Sequence, residues 1–333
     1  MTLRTLAAVL VVASVVTVDA QAWRHRSGQT PIVTPIRAGA GPAVQLRPAS
    51  AHRVQYFGYW KDNRHETAGH SNTVDVSWPT TDLELAAVQT TLNQAWSDDR
   101  WFVVWVPFIF YGPTPRTGMA GPGGYIWLDK GEQAWHRYVE PMRPYLPRVI
   151  AFYLMDEPDT VASGDAPASG YDPNLYNPLI ERSLAVIRAD YPGAPVALNY
   201  AFANRPGLVI PSGLTWVGLE TYGVTLPDDN LRGLVARLTR DQGVMLMPKA
   251  YIDLSVPGEI DDAQIAAFAQ AQADYAVRDP RIIGLRPFLW CVEWLANCDD
   301  VAQPTDLFYS VGGSKLLLTQ AAFRSIGHAI LGR

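Results

Sequence analysis

The stretch Arg148–Asp159, RVIAFYLMDEPD, contains an apolar run that ends abruptly in acidic residues. The uninterrupted run Val149–Leu154 is typical of a strand buried on both faces in a parallel sheet. Asp156 and Glu157 follow it, and Pro158 ends the strand because proline lacks an amide donor. The pattern predicts either a functional carboxylate pair at the carboxyl end of a strand or an Asp-Glu-Pro turn that merely caps it.

Strand-like and helix-like segments alternate along the rest of the chain. The strand candidates are Arg53–Trp60, Thr73–Trp78, Trp101–Tyr111, Val149–Met155, Pro195–Phe202, Leu214–Tyr222, Gly243–Ile252 and Ile282–Trp290. Amphipathic helices are predicted over Asp82–Ser97, Lys130–Tyr145, Asn174–Asp190, Asn230–Asp241, Asp262–Val277 and Leu316–Leu331. Eight strands alternating with helices predict an α/β fold, a single (β/α)8 barrel (TIM barrel) over residues 51–333. Its first connection, Lys61–Asn72, is short and polar and is expected to lack its helix.

Composition narrows the function. The chain has 333 residues, 48% of them hydrophobic and 18% charged, which is ample material for one large core. The net charge of −5, without a basic run, argues against a nucleic-acid partner. Eleven Trp and fifteen Tyr suit a cleft that stacks against flat, amphipathic ligands, although aromatic residues also pack ordinary cores.

The amino terminus has the pattern of an export signal. Arg4 precedes the apolar segment Leu6–Val18, which is too short to span a bilayer, and Ala20–Ala22 reads as a cleavage site. We therefore expect residues 1–22 to be a removed signal peptide and the protein to be secreted or periplasmic, without a membrane anchor. Residues 23–50 are rich in Pro, Gly, Ala and Arg and predict an extended lead-in.

The two cysteines, Cys291 and Cys298, lie close together in the sequence CVEWLANC. Export to an oxidising compartment makes a local disulfide between them the expected state. Two thiols without further Cys or His nearby do not predict a metal site.

The predicted strand ends bring carboxylates, two cations and aromatic rings to one end of the barrel, where barrel enzymes place their chemistry. Beside Asp156 and Glu157, the candidate site residues are Glu220, Tyr222, Lys249, Tyr251, Asp253 and Arg286. The candidate ligand-stacking residues are Trp60, Trp78, Tyr111, Trp290 and Trp294.

These residues resemble the glycoside hydrolases of the large retaining clan, which are (β/α)8 barrels whose fourth strand commonly ends Asn-Glu-Pro. The resemblance implies that Glu157 is the general acid/base, with Asp156 in place of the usual Asn. The clan's nucleophile is a Glu that ends strand seven, where this chain instead carries Lys249 and, further on, Asp253. The resemblance therefore implies a carbohydrate site and leaves the second carboxylate to be identified.

Glu220 is the predicted partner of Glu157 in cleaving a glycosidic bond. Such cleavage needs one protonated carboxyl and a second carboxylate that attacks the sugar or activates water. We expect Asp156 or another close acid to keep Glu157 protonated, since like charges raise a pKa, and Lys249 and Arg286 to stabilise a Glu220 anion. Their spacing, which decides between retention and inversion, is left open by the sequence.

A second function class stays open, a catalytically silent barrel that binds glycan or protein through the same aromatic-lined mouth. The absent strand-seven Glu favours it, whereas the clustered carboxylates favour a hydrolase. No cofactor or metal is predicted, because His65, Glu66 and His70 in the first connection match no recognised ligand spacing.

Overall fold

Eight parallel strands form the central sheet, and most of their residues are buried on both faces of it. In this computed structural model, residues 54–62, 65–112, 125–159, 172–253, 258–291 and 308–332 are described. The strands are β1 (Tyr56–Phe57), β2 (Thr73–Ser77), β3 (Trp101–Trp105), β4 (Val149–Tyr153), β5 (Val196–Tyr200), β6 (Trp216–Glu220), β7 (Gly243–Met247) and β8 (Ile282–Leu285). Their hydrogen-bonded order is β1-β8-β7-β6-β5-β4-β3-β2.

The sheet closes almost completely between its two edge strands. Asn72, just before β2, donates its backbone N–H to the carbonyl oxygen of Phe57 in β1 over 2.8 Å, and its side-chain amide bonds the backbone of Phe57 and Gln55. A nearly closed eight-stranded parallel barrel results, so the predicted fold class is confirmed.

Helices cover the outside of the barrel. They are α1 (Asp82–Ser97), α2 (Gly131–Met142), α3 (Asn177–Asp190), α4 (Asp229–Val235), α5 (Asp262–Ala276) and α6 (Leu317–Leu331). Thr81 caps α1, and a capping box of Asp261 and Gln264 begins α5. Of the helices described, none combines the length and the apolarity that a bilayer crossing needs.

Two predicted strands are shorter than expected because a proline interrupts each. Pro107 starts a helical turn, Pro107–Phe110, and the chain then forms a small hairpin of Tyr111–Gly112 with Ile126–Trp127. Beyond Pro248, residues Tyr251–Asp253 leave the barrel sheet and pair antiparallel with Phe308–Ser310.

The first connection contains a 3-10 turn, His65–Thr67, and no α-helix among its described residues, as predicted. The buried Arg100, just before β3, holds this connection in place, with its guanidinium 3.3 Å from the Asp62 carboxylate. The same guanidinium bonds the hydroxyls of Thr67 and Ser71, each at 3.1 Å. This network fixes the connection next to β2 and thereby holds Lys61 at the barrel mouth.

Candidate active site

Three carboxyl groups meet at the carboxyl end of the barrel. Asp156 and Glu157 follow β4, Glu220 ends β6, and their oxygen atoms lie within 4.8 Å of one another. All three residues are half-buried. β5 lies between β4 and β6 and contributes Asn199 to the same group. The sequence prediction that Glu157 and Glu220 lie close together therefore agrees with the geometry.

Glu157 sits on a turn with an unusual backbone. Its φ of 45° lies in the left-handed region, which costs free energy for a residue with a side chain. The Glu157 N–H donates to the side-chain oxygen of Asn199 over 3.3 Å. Two residues later, the buried Asp159 carboxylate accepts the backbone N–H groups of Ala201 at 3.1 Å and Phe202 at 2.6 Å. The turn after β4 is thus tied to the end of β5.

Two tyrosines hold Asp156. The hydroxyl of Tyr125 donates to the Asp156 carbonyl oxygen over 2.7 Å and accepts the Asp156 N–H over 2.9 Å. Tyr153, the last residue of β4, directs its hydroxyl at the Asp156 carboxylate over 3.3 Å. These contacts hold the Asp156 backbone and place its carboxyl group beside the end of β4.

Burial and mutual repulsion keep protons on this group of acids. Burial, followed by the charge of Glu157, raises the pKa of Asp156 from 3.8 to about 7, against the opposing pull of the Lys61 ammonium. Burial also raises the pKa of Glu220 well above its usual value, helped by a hydrogen bond with Glu157 and by the charges of Glu157, Asp156 and Asp159. The surroundings of Glu220 therefore favour its protonated form over its anion more than water does.

The cations predicted to stabilise Glu220 are engaged elsewhere. Lys249 forms an ion pair of 2.7 Å with Glu259, and the buried Arg286 bonds Asp75, a residue of β2. The expectation that they stabilise a Glu220 anion is therefore corrected. Lys61, whose ammonium lies 5.2 Å from the centre of the Trp105 ring, is the cation that acts on Asp156 instead.

An aromatic wall borders the carboxyl groups on the Glu220 side. It consists of the half-buried rings of Tyr222, Tyr251 and Phe288. The centroids are 5.8 Å apart for Tyr222 and Tyr251 and 5.5 Å apart for Tyr251 and Phe288, both nearly perpendicular. Asp253 is half-buried at the end of the small strand that begins with Tyr251. The wall thus places partly exposed aromatic side chains beside the carboxyl groups, a residue type that can pack against a ligand.

Two of the tryptophans predicted to stack on a ligand are buried in the structure, so this prediction is wrong for them. Trp60 is 3% exposed and packs inside the barrel against Trp105 and Tyr153, at 4.6 and 4.9 Å. Trp78 stacks on Trp135 of α2 at 4.1 Å, between the barrel and its helices. Both rings are packed against protein, so they stabilise the barrel core and offer no open face to a ligand.

The remaining aromatic candidates have similar outcomes. Tyr111 is buried and hydrogen-bonds Ser183 of α3 over 2.5 Å. Trp290 is 2% exposed and donates to Glu66 over 2.7 Å. Trp294 and Cys298 lie outside the described residues, so the predicted disulfide with the buried Cys291 stays a prediction.

Sequence reasoning missed Asn199, Tyr153, Tyr125 and Lys61. Asn199 had the clearest sequence signal. It is a polar residue inside the apolar run of β5, and it lies two residues after Ala197, so both side chains point into the barrel. Within the described residues, Asp156, Glu157 and Glu220 are also the one group of acids, His or Cys close enough to share a metal ion. Carboxylates are ligands for hard cations, but protons held on Asp156 and Glu220 would compete with a metal.

Comparisons with solved structures place the barrel among glycoside hydrolase folds. A native xylanase 10B from Thermotoga maritima matches with a TM-score of 0.52 and 14% identity, covering 87% of this chain and 100% of the other. A thermostable xylanase mutant from Cellvibrio japonicus gives 0.52 and 11%, covering 84% and 98%. A GH113 β-1,4-mannanase complex gives 0.51 and 15%, covering 85% and 99%.

The protein thus has the fold of the TIM-barrel glycoside hydrolases, as the strand-four resemblance implied. At 11–15% identity these likenesses concern the fold alone. No protein-family profile matches the chain, and no curated protein matches its sequence.

Proposed function

We propose that the protein is an exported glycoside hydrolase that cleaves an oligo- or polysaccharide with the carboxyl pair Glu157 and Glu220. The observation that carries the proposal is the approach of their oxygen atoms to within 4.8 Å at the barrel mouth. Retaining glycosidases hold their two carboxyl groups about 5–5.5 Å apart, and inverting ones hold them about 6.5–9.5 Å apart to admit a water. The two carboxyl groups also share a hydrogen bond, which leaves no room for a water between them and therefore favours retention.

The raised pKa of Glu220 supports a separate role for each of the two residues. Glu220, among other acids, is favoured in its protonated form and suits the general acid that protonates the glycosidic oxygen. As the bond to the leaving sugar breaks, the Glu157 carboxylate attacks the anomeric carbon and forms a glycosyl ester. Water then cleaves the ester while Glu220 takes the proton back. These roles are the reverse of those implied by the strand-four resemblance.

The aromatic wall of Tyr222, Tyr251 and Phe288 supports a sugar as the ligand. Its half-exposed rings adjoin Glu220, the proposed acid, and ring faces pack well against the apolar faces of pyranose rings. The Lys249 ammonium lies 4.2 Å from the centre of the Tyr251 ring and stabilises the position of this ring by a cation–π contact.

The test uses Glu157→Gln and Glu220→Gln with a panel of oligosaccharides and nitrophenyl glycosides. Each variant should lose about 10²–10⁴-fold in kcat while glycan binding persists. Nitrophenol leaves without acid assistance, so nitrophenyl glycosides should restore much of the activity of Glu220→Gln but not of Glu157→Gln. Glu181→Gln, an exposed residue on α3, is the matched control and should keep wild-type turnover. Near wild-type turnover by Glu157→Gln would refute the proposal.

The second candidate is the silent barrel, which the absence of a Glu at the end of strand seven favours. If no oligosaccharide is cleaved but some bind and quench Trp fluorescence, this reading replaces the hydrolase.

A further inference from the structure

We infer that Asn199 is the positioning residue of the site, which holds the left-handed backbone of Glu157 and the carboxyl of Glu220 in one fixed arrangement. The inference rests on the proposed function for its kinetic consequence, whereas its structural consequence can be tested by itself.

Within the described part of the chain, the Asn199 side chain contacts both members of the carboxyl pair. It is fully buried in β5, between the strands that carry the two acids. Its side-chain oxygen accepts the Glu157 N–H at 3.3 Å and the hydroxyl hydrogen of Tyr153. Its side-chain nitrogen donates to Glu220 over 3.4 Å. One rigid amide thus connects the backbone of one acid to the carboxyl of the other.

The orientation of this amide follows from its partners. A backbone N–H can only donate, so the group facing Glu157 must be the oxygen of Asn199, and the NH₂ group then faces Glu220. The amide side that meets the Glu220 carboxyl is therefore always a donor. Aspartate, which is nearly the same size, keeps the acceptor for Glu157 and loses the donor for Glu220.

The backbone of Glu157 explains why such a residue is needed. A glutamate at φ 45° persists only where the surroundings compensate for the strain. Asn199 supplies the acceptor for its N–H, and the bonds from Ala201 and Phe202 to Asp159 hold the turn two residues further on. Without the Asn199 acceptor, the strained residue would relax and turn its carboxyl away from Glu220.

The experiment compares crystal structures and pH–rate profiles of Asn199→Ala and Asn199→Asp. The control is Gln242→Ala, which removes another buried amide, bonded to the carbonyl oxygens of Pro211 and Leu214 and located at the amino end of the barrel before β7. In Asn199→Ala, Glu157 should adopt a negative φ and move away from Glu220, and kcat should fall about 10²-fold with KM little changed. Asn199→Asp should keep the left-handed backbone but raise the basic limb of the kcat/KM profile by about one pH unit, because it adds a negative charge beside Glu220.

The control separates positioning from a general loss of packing. Gln242→Ala should lower the melting temperature as Asn199→Ala does, yet leave the Glu157 backbone and the pH profile unchanged. A left-handed Glu157 in Asn199→Ala would overturn the inference, and so would an unshifted profile in Asn199→Asp if the alanine variant does not fold. If the wild type cleaves no glycoside, the proposed function fails, but the φ of Glu157 in the crystallised variants still tests the inference. A negative φ in Asn199→Ala supports the inference. A negative φ in Asn199→Asp overturns it.

Discussion

Replacing Asp156 with asparagine should make the protein more stable at alkaline pH and leave its stability at acidic pH nearly unchanged. Burial and the Glu157 charge raise the pKa of Asp156 from 3.8 to about 7. The folded state therefore binds this proton more tightly than the unfolded chain does. The contribution of this group to the free energy of unfolding is therefore largest below pH 4. It decreases as the pH rises from 4 to 7 and stays constant above pH 7.

The size of the effect follows from the two pKa values. They differ by about 3, and each pH unit corresponds to about 1.4 kcal/mol, which gives about 4 kcal/mol as an upper bound. Because the carboxyl is only half-buried, partial solvent screening reduces the expected gain to about 2–4 kcal/mol. Asparagine keeps the size of the side chain and a group that can hydrogen-bond the Tyr153 hydroxyl, which lies 3.3 Å from the carboxylate.

Urea unfolding at pH 4 and pH 8 measures this difference directly. Asp156→Asn should match the wild type within about 0.5 kcal/mol at pH 4 and exceed it by about 2–4 kcal/mol at pH 8. Asp241→Asn, an exposed carboxyl before β7, is the matched control and should show the same difference at both pH values. A gain for Asp156→Asn that does not depend on pH would refute the account of a destabilising buried acid.

Three further outcomes are expected. Trp78→Ala should lower the free energy of unfolding by about 3–5 kcal/mol without weakening glycan binding, because this ring packs on α2; loss of binding in the folded variant would contradict its core position. Lys249→Met should cost about 3–5 kcal/mol by leaving the Glu259 carboxylate unpaired, and adding Glu259→Gln should recover most of it in a double-mutant cycle. The mass of the secreted chain should rise by two hydrogen atoms on reduction if Cys291 and Cys298 are joined; an unchanged mass would mean two free thiols.

The barrel could be predicted from the sequence because a strand buried on both faces is written as an uninterrupted apolar run, as in β4. Alternation along each strand also indicates which side chains face the helices and which face the barrel interior. Trp78 shares its parity with Val74 and Val76, whose side chains pack outward against the helices, so its burial follows from β2 alone. By the same rule, Glu220 lies four residues after the inward-facing Trp216 on β6, so its side chain faces the inside of the barrel at the carboxyl end of the strand.

Partners that lie far away in the sequence could not be predicted in this way. Lys249 is neutralised by Glu259, which lies beyond the end of its strand, and Arg286 pairs with Asp75, 211 residues earlier. Which of several carboxylates a buried cation meets depends on side-chain reach across the barrel, and strand parity carries no such information. The raised pKa of Glu220 comes from its burial and from the charges of Glu157, Asp156 and Asp159 around it, so it too required the structure.

The most direct test of the carboxyl pair is to trap its covalent intermediate. A 2-deoxy-2-fluoroglycosyl fluoride of the sugar that the protein cleaves should inactivate it, and peptide mapping by mass spectrometry should locate the adduct. The account predicts one sugar attached to Glu157. Attachment to Glu220 would contradict the proposed roles, and turnover with inverted stereochemistry, or attachment to a residue outside the pair, would contradict the retaining carboxyl pair itself.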